Sequence, residues 1–122
     1  MNGNNEKGVI LIVDDDKEVA RDLKSILTGI GYDVLAALDK TEAITTINAV
    51  SFDAIILEVN MLHGIEILKH IKVRKPRTKV MVYSRCDNET KRKAEEKGID
   101  EFLPKNAEIS MLVNVVQRVL GH

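Results

Sequence analysis

Five short apolar runs alternate with five amphipathic segments along this chain, and no other sequence feature restricts the fold as much. The runs are rich in β-branched residues and leucine, which is typical of strands buried on both faces. The segments between them repeat apolar residues at helical spacing. The alternation predicts an α/β fold, a doubly wound five-stranded parallel sheet with helices on both faces. The predicted strands are Val9–Val13, Asp33–Leu38, Asp53–Val59, Lys79–Ser84 and Asp100–Leu103.

The ends of the predicted helices carry their own signals. Asp16 is predicted to cap the first helix. Asp39, followed three positions later by Glu42, forms a variant of the capping box before the second helix. The third helix is predicted to end before Pro76, because proline cannot continue it. Asn106 is predicted to cap the last helix.

The fourth predicted helix, Asn88–Lys97, offers only Ala94 for burial. Charged pairs at i,i+4 each add about 0.2–0.5 kcal/mol to such a helix. A weakly held element of this kind is suited to move in a switch. The predicted pairs are Glu89–Lys93, Lys91–Glu95 and Arg92–Glu96.

The composition fits one globular domain and excludes several classes of protein. The chain has 122 residues, 44% hydrophobic and 30% charged, and no apolar run approaches the roughly 20 residues of a membrane span. Its formal net charge of −1 leads us to predict neither direct nucleic-acid binding nor membrane binding. The single cysteine, Cys86, permits no internal disulfide, which suits the cytoplasm. We expect residues 1–7 to be a flexible tail and residues 8–122 to form a single domain.

Side chains suited to phosphate chemistry follow the predicted strands. In parallel α/β sheets, ligands bind beyond the carboxyl ends of the strands, near the point where the strand order reverses. Carboxylates suit Mg²⁺, and lysine and hydroxyl groups suit phosphoryl oxygens. The sequence therefore predicts a magnesium-assisted phosphoryl site at this edge. Its candidates are Asp14 and Asp15 after the first strand, Glu58 after the third, Ser84 at the end of the fourth and Lys105 after the fifth.

Four segments resemble the receiver domain of bacterial two-component response regulators. The matching pieces are LIVDDDKEVAR, DAIILEVNM, VMVYS and DEFLPK, in the family's order and spacing. The resemblance covers nearly the whole chain and implies a flavodoxin-like fold. It implies a switch rather than an enzyme, in which an aspartate receives a phosphoryl group from a histidine kinase or phosphotransfer protein. The output would pass to a downstream partner or to an effector domain outside this chain, and the face of the fourth helix, fifth strand and fifth helix would hold a partner or a homodimer.

The resemblance also implies a role for each candidate residue. Glu58 stands at the phosphoacceptor position. Ser84 would contact the phosphoryl group, and Lys105 would pair with it. Phe102 stands where the family has a rotating aromatic residue. The implied Mg²⁺ ligands are Asp14, Asp15, Glu58 and the backbone carbonyl of Asn60.

The sequence departs from the family's pattern in three places. The phosphoacceptor position holds Glu58 in place of aspartate. The loop that follows is shorter than usual before Gly64 and carries Leu62 where proline is usual. Asn106 replaces the proline that usually follows the lysine. Because the loop supplies the carbonyl of Asn60, we expect Mg²⁺ binding to be weakened.

The extra methylene of Glu58 bears directly on activity. It moves the carboxylate outward by about 1.5 Å, one C–C bond, and a misplacement of that order costs about a hundredfold in rate. The same shift brings the carboxylate toward the place of a phosphoryl group. We predict that Glu58 imitates phosphoaspartate by contacting Lys105 and Ser84, and so biases the domain toward one conformation. A solvated acid paired with Lys105, and phosphorylation of Glu58 itself, are the two alternatives.

Two other functions use the same kind of sheet. A magnesium-dependent phosphatase of the haloacid dehalogenase type needs two aspartates two residues apart after the first strand, and Asp14 and Asp16 have that spacing. A flavin-binding module needs a phosphate-cradling loop at this place. The sequence there, DDDKE, would repel a phosphate, so we consider the flavin module the weaker alternative.

Overall fold

The computed structural model describes residues 7–121, which form five strands and five helices in strict alternation. Residues 1–6 of the predicted tail lie outside the described residues. The strands are β1 (Val9–Val13), β2 (Asp33–Ala37), β3 (Ala54–Leu57), β4 (Lys79–Ser84) and β5 (Glu101–Pro104). The helices are α1 (Lys17–Gly29), α2 (Lys40–Ala49), α3 (Gly64–Arg74), α4 (Asn88–Glu96) and α5 (Ile109–Leu120).

The strands form one parallel sheet in the order β2-β1-β3-β4-β5, which confirms the predicted flavodoxin-like, doubly wound fold. The strand order reverses between β1 and β3, where Val13 lies beside Leu57. The residues that follow these two partners, Asp14 and Glu58, therefore emerge side by side. The amide of Glu58 also donates a hydrogen bond to the carbonyl of Val13, at 2.9 Å.

The core lies in two layers, one on each face of the sheet. Side chains alternate along each strand, so that Leu11 and Val13 of β1 face one layer and Ile10 and Ile12 face the other. Helices α2, α3 and α4 cover the first layer, and α1 and α5 cover the second. Burial on both faces explains why the strands read as continuous apolar runs. No helix within residues 7–121 is long and apolar enough to cross a membrane.

Two predicted helix caps are confirmed and one is wrong. The carboxylate of Asp16 accepts hydrogen bonds from the first turn of α1. Asp39 accepts one from the amide of Glu42 at 2.8 Å, and Glu42 in turn accepts from the amide of Leu38. Asn106 does not cap α5, which begins only at Ile109. The chain first makes a turn in which the amide of Ala107 donates to the carbonyl of Pro104, and this turn moves the helix start past Asn106.

Helix α4 is held by few apolar contacts, as predicted. Ala94 is its only buried residue. Lys91 does not pair with Glu95 among the described residues; its ammonium lies 4.7 Å from the ring centroid of Phe102 on β5. A cation over an aromatic face replaces the predicted ion pair. The other two predicted pairs form, Arg92–Glu96 at 2.7 Å and Glu89–Lys93 at 3.8 Å.

Candidate functional site

Three charged side chains meet beyond the carboxyl ends of β1, β3 and β5. The ammonium of Lys105 lies 2.7 Å from Oδ2 of Asp14 and 3.1 Å from Oε1 of Glu58. The three side chains are only 4–7% exposed. Each residue directly follows its strand, so the sheet fixes where each side chain begins. We call Asp14, Glu58 and Lys105 the acid–lysine cluster.

The remaining carboxylate oxygens of the cluster bind backbone amides. Oδ1 of Asp14 accepts a hydrogen bond from the amide of Asp16, at 2.9 Å. Oε2 of Glu58 accepts one from the amide of Asn60, also at 2.9 Å. Each carboxylate is therefore held at both oxygens, one facing Lys105 and the other facing its own loop. This satisfaction of buried polar atoms explains how two acids with so little exposed surface are accommodated side by side.

Tyr83 of β4 positions Lys105 from the other side, a role that the sequence analysis missed. The ring centroid of Tyr83 lies 5.3 Å from the ammonium, within range of a cation–π contact. Its hydroxyl donates to the backbone carbonyl of Lys105 at 3.2 Å, and the amide of Lys105 donates to the carbonyl of Ser84 at 3.0 Å. The available signal was an aromatic residue that carries a hydroxyl, one position before the end of the fourth strand.

Burial and charge act in opposite directions on the ionisable groups of the cluster. Burial raises the pKa of Asp14 above its ordinary value of 3.8, and the hydrogen bonds from Lys105 and from the amide of Asp16 only partly offset this. Burial by itself would lower the pKa of Lys105, but the hydrogen bonds and charges of Asp14 and Glu58 outweigh it and raise that pKa above 10.5. Lys105 is therefore a firmly protonated cation at neutral pH.

Ser84 and Phe102 lie near the cluster but outside it. The hydroxyl of Ser84 is 1% exposed and accepts a hydrogen bond from the amide of Cys86, at 3.1 Å. Within residues 7–121, no hydrogen bond joins Ser84 to Glu58, and the contact between them stays a prediction. The ring of Phe102 is half-buried and packs against the core layer under α4. Ser84 and Phe102 share with Lys105 the wall of an open cavity of about 670 Å³.

A second, smaller cavity of about 190 Å³ lies directly over the carboxylates. Asp15 is exposed on its wall, as the predicted site requires, and has no ion pair among the described residues. Arg85, to which the sequence analysis gave no role, lies on the same wall because it directly follows β4. Both Arg85 and Lys105 line the two cavities. The full lining of the smaller one is Asp14, Asp15, Asp16, Glu58, Asn60, Met61, Arg85 and Lys105.

The donor set is chemically suited to Mg²⁺, but every carboxylate oxygen of Asp14 and Glu58 is already engaged by a backbone amide or by Lys105. Three of the four oxygens of Asp14 and Glu58 accept hydrogen bonds, and the fourth lies 3.1 Å from the ammonium of Lys105. Among the residues that the structure describes, no three Asp, Glu, His or Cys side chains are grouped to hold a metal ion. A cation at this place would have to displace Lys105.

The short loop after β3 makes a tight turn under steric constraint. A Cβ at Gly64 would lie 2.4 Å from the carbonyl oxygen of Val59, so only glycine fits here. The amide of Gly64 donates to the carbonyl of Met61 at 2.9 Å. His63 takes a left-handed conformation with φ of 64°, which is uncommon outside glycine. The close approach of the Val59 carbonyl therefore fixes position 64 as glycine.

Glu66, in the first turn of α3, joins this loop to α2. Its carboxylate lies 2.7 Å from the ammonium of Lys40 and 2.9 Å from Nδ1 of His63. The hydrogen bonds from Lys40 and His63, together with their charges, lower the pKa of Glu66 from 4.5 to about 2. The short loop is therefore attached to the neighbouring helix by a small polar network.

The fold and the site together define a flavodoxin-like α/β domain with an acid–lysine cluster at its topological switch point. The chain belongs to the response regulator receiver domain family, whose sequence model matches residues 10–117. The receiver domain of the Francisella response regulator 1452 is similar in structure, with a TM-score of 0.84 and 31% identity, over 93% of this chain and 97% of that one.

Curated relatives extend well beyond this domain. The DNA-binding transcriptional regulator NtrC of Klebsiella pneumoniae is 28% identical over 120 residues, which is 96% of this chain and 26% of NtrC. The response regulator MprA of Mycolicibacterium vanbaalenii is 34% identical over 99 residues, which is 79% of this chain and 43% of MprA. The chain thus spans less than half the length of these two relatives.

Membership of the family decides between the functions considered above. Receiver domains act in two-component signalling as switches that interact with histidine kinases or phosphotransfer proteins and with effector domains, and they generally bind Mg²⁺ at the phosphorylation site. The phosphatase alternative finds no support. Its second aspartate, Asp16, is instead the N-cap of α1.

Proposed function

We propose that this receiver domain signals without a stable phosphoryl group, because Glu58 occupies the phosphoacceptor position and engages Lys105 permanently. The observation that carries the proposal is the distance of 3.1 Å between Oε1 of Glu58 and the ammonium of Lys105, two side chains that are only 6–7% exposed. In phosphorylated relatives, as the family resemblance implies, a phosphoryl group would form an ion pair with this lysine. Here the carboxylate of Glu58 forms that ion pair.

The imitation of phosphoaspartate is partial. Glu58 contacts Lys105, while the hydroxyl of Ser84 stays with the amide of Cys86. We infer a domain that is biased toward one conformation through the lysine alone. Phe102 and Ser84, on the wall of the larger cavity, are then the part of the switch that a partner can still move.

Metal binding and output follow from the same arrangement. We propose that Mg²⁺ binds weakly at Asp14, Asp15, Glu58 and the carbonyl of Asn60, because Lys105 already neutralises two of these carboxylates. The domain has no enzymatic role of its own in this proposal. It acts in the cytoplasm through a downstream partner or an effector region, and the face of α4, β5 and α5 offers the docking surface.

Amide NMR spectra of the wild type and Glu58→Asp, with magnesium, before and after addition of beryllofluoride, test this proposal. We expect large shifts around Ser84 and Lys105 in the variant only, because the shorter side chain leaves room for the phosphoryl analogue. Glu58→Gln is the matched control, since it keeps the length of the side chain and removes its charge. We expect its spectrum to move at Lys105 without any addition. Equal responses of the wild type and Glu58→Asp to beryllofluoride would overturn the proposal.

A further inference from the structure

The charges of this chain are unevenly distributed along its sequence. No acidic residue lies between Glu66 and Asp87, although this stretch carries seven lysines and arginines and the whole chain has a net charge of −1. Most of these cations lie at the end of α3 and in the turn that follows it. That turn is at the amino edge of the sheet, opposite the acid–lysine cluster.

Several of the cations have no electrostatic partner in the part of the chain that the structure describes. Lys72 donates to the carbonyl of Gly98 at 3.0 Å, and Lys79 lies 3.9 Å from Asp100. The others with no ion pair among residues 7–121 are Lys69, Arg74, Lys75, Arg77 and Arg85. Cations in the last turn of a helix complement its dipole, which accounts for Lys72 and Arg74. Lys75 and Arg77 lie beyond the helix end, so the dipole does not explain them.

Lys75 and Arg77 line a cavity of about 600 Å³, and we call these two cations its basic rim. The apolar part of the lining, which we call its floor, includes Phe52, Val119 and Leu120. A volume of this size is ordinary for a binding pocket. An apolar floor under a basic rim fits a ligand that is both apolar and anionic. The full lining is Ser51, Phe52, Asp53, Lys75, Pro76, Arg77, Thr78, Lys79, Val119 and Leu120.

The walls of this cavity are fixed by hydrogen bonds between two turns. The buried hydroxyl of Thr78 donates to the carbonyl of Phe52 at 3.1 Å, and the amide of Lys79 donates to the carbonyl of Asp53. The carboxylate of Asp53 accepts from the amide of Val9 at 2.8 Å. It is directed to the neighbouring strand β1 and makes no ion pair with Lys75 or Arg77 among the described residues. The basic rim is therefore not neutralised from within.

We propose that this basic cavity docks an acidic peptide segment of a partner protein, with a large apolar side chain of that segment in the cavity and its carboxylates on Lys75 and Arg77. Charge complementarity selects an acidic partner, and the apolar floor selects a peptide over nucleic acid, whose phosphates would need a longer track of cations. The site is distinct from the acid–lysine cluster, and the inference does not depend on the function proposed for Glu58.

An NMR titration with a synthetic peptide of glutamates around a central leucine–phenylalanine pair tests this proposal. We expect amide shifts within residues 73–79 and at Val119 and Leu120, with none at Lys105. The double variant Lys75→Glu/Arg77→Glu should weaken binding by about tenfold or more, because it turns attraction into repulsion. The matched control is Arg21→Glu/Lys24→Glu, which reverses two exposed cations on α1 and should leave binding unchanged.

The apolar part of the peptide has its own control. A peptide with serines in place of leucine and phenylalanine should bind more weakly to the wild type. Binding that survives Lys75→Glu/Arg77→Glu, or shifts confined to Ser84 and Lys105, would overturn the proposal. So would tighter binding of duplex DNA, which would make the surface a general polyanion site. Self-association of the wild type that the double variant abolishes, measured by sedimentation, would instead assign the surface to a second copy of the chain.

Discussion

A Cβ atom on Gly64 would lie 2.4 Å from the carbonyl oxygen of Val59 and 2.6 Å from its carbonyl carbon. Both contacts are with backbone, so no side-chain rotation can relieve them. We expect Gly64→Ala to destabilise the protein by about 2 kcal/mol, because the short loop must shift to make room. Chemical denaturation measures this. Gly29→Ala, which meets nothing within 4 Å, is the matched control and should change stability by less than about 0.5 kcal/mol. Equal effects of the two substitutions would contradict the steric argument.

Lys105→Met should be the most damaging single change at the acid–lysine cluster. It keeps the approximate volume of the stem and leaves Asp14 and Glu58 buried without a counter-charge. Breaking a buried ion pair from one side costs about 3 kcal/mol or more, and urea unfolding at neutral pH would measure it. Lys24→Met, at an exposed position of α1, should have little effect. A stability equal to that of the wild type would mean that the carboxylates reach water without Lys105.

Magnesium should stabilise the Lys105→Met variant more than the wild type. Removing the ammonium frees Oδ2 of Asp14 and Oε1 of Glu58 for a hard cation, and a ligand that binds only the folded state raises the unfolding temperature. Thermal unfolding with and without MgCl₂ gives the comparison. Adding Asp14→Asn to the variant should abolish the response. A rise of the same size in the wild type would show that Lys105 does not compete with the metal.

Glu66 should titrate at unusually low pH. Its pKa is lowered from 4.5 to about 2 by Lys40 and His63, so its contribution to stability is complete above about pH 4.5 and is lost as the pH falls toward 2. Carbon-detected NMR of the side-chain carboxyl of Glu66 would measure its titration directly. Lys40→Met should move the midpoint toward 4.5, and high salt should do the same because the group is exposed. A titration midpoint of Glu66 near 4.5 in the wild type would show that the contact between Lys40 and Glu66 does not form in solution.

Helix α4 should open more readily than α5. Only Ala94 of α4 is buried, whereas α5 buries Leu112, Val115 and Val116. Local opening is easiest where few apolar contacts must be broken. Native-state hydrogen exchange should therefore give lower protection for the amides of α4. Ala94→Gly should lower it further without changing α5, and protection of α4 equal to that of α5 would count against its role as a mobile element.

Much of the fold could be predicted because each strand is buried on both faces, and the apolar runs therefore mark the strands directly. The meeting of Asp14, Glu58 and Lys105 followed from the rule that parallel strands end at one edge. The third strand was predicted as Asp53–Val59, but it is Ala54–Leu57. Glu58 is thus the first residue past the strand end, and its carboxylate reaches Lys105.

The differences between the predicted contacts and the structure have separate physical causes. Lys91 was matched to Glu95 by a local spacing rule, but Phe102 on a neighbouring strand offers its ring at 4.7 Å. Among the described residues no hydrogen bond joins Ser84 to Glu58, and the backbone amide of Cys86 donates to the hydroxyl of Ser84. The basic rim of the cavity at the amino edge was missed because the net charge of the chain conceals it.

The pairing of Asp14 with Lys105 links residues 91 positions apart along the chain. The two ends of the domain must come together before this contact forms, so the conformational entropy of closing this long loop is lost first. We therefore expect that the ion pair between Asp14 and Lys105 has not yet formed in the transition state of folding. Its loss in Lys105→Met would then leave refolding nearly as fast as in the wild type and accelerate unfolding. The lifetime of the native domain would shorten even though its assembly would not slow.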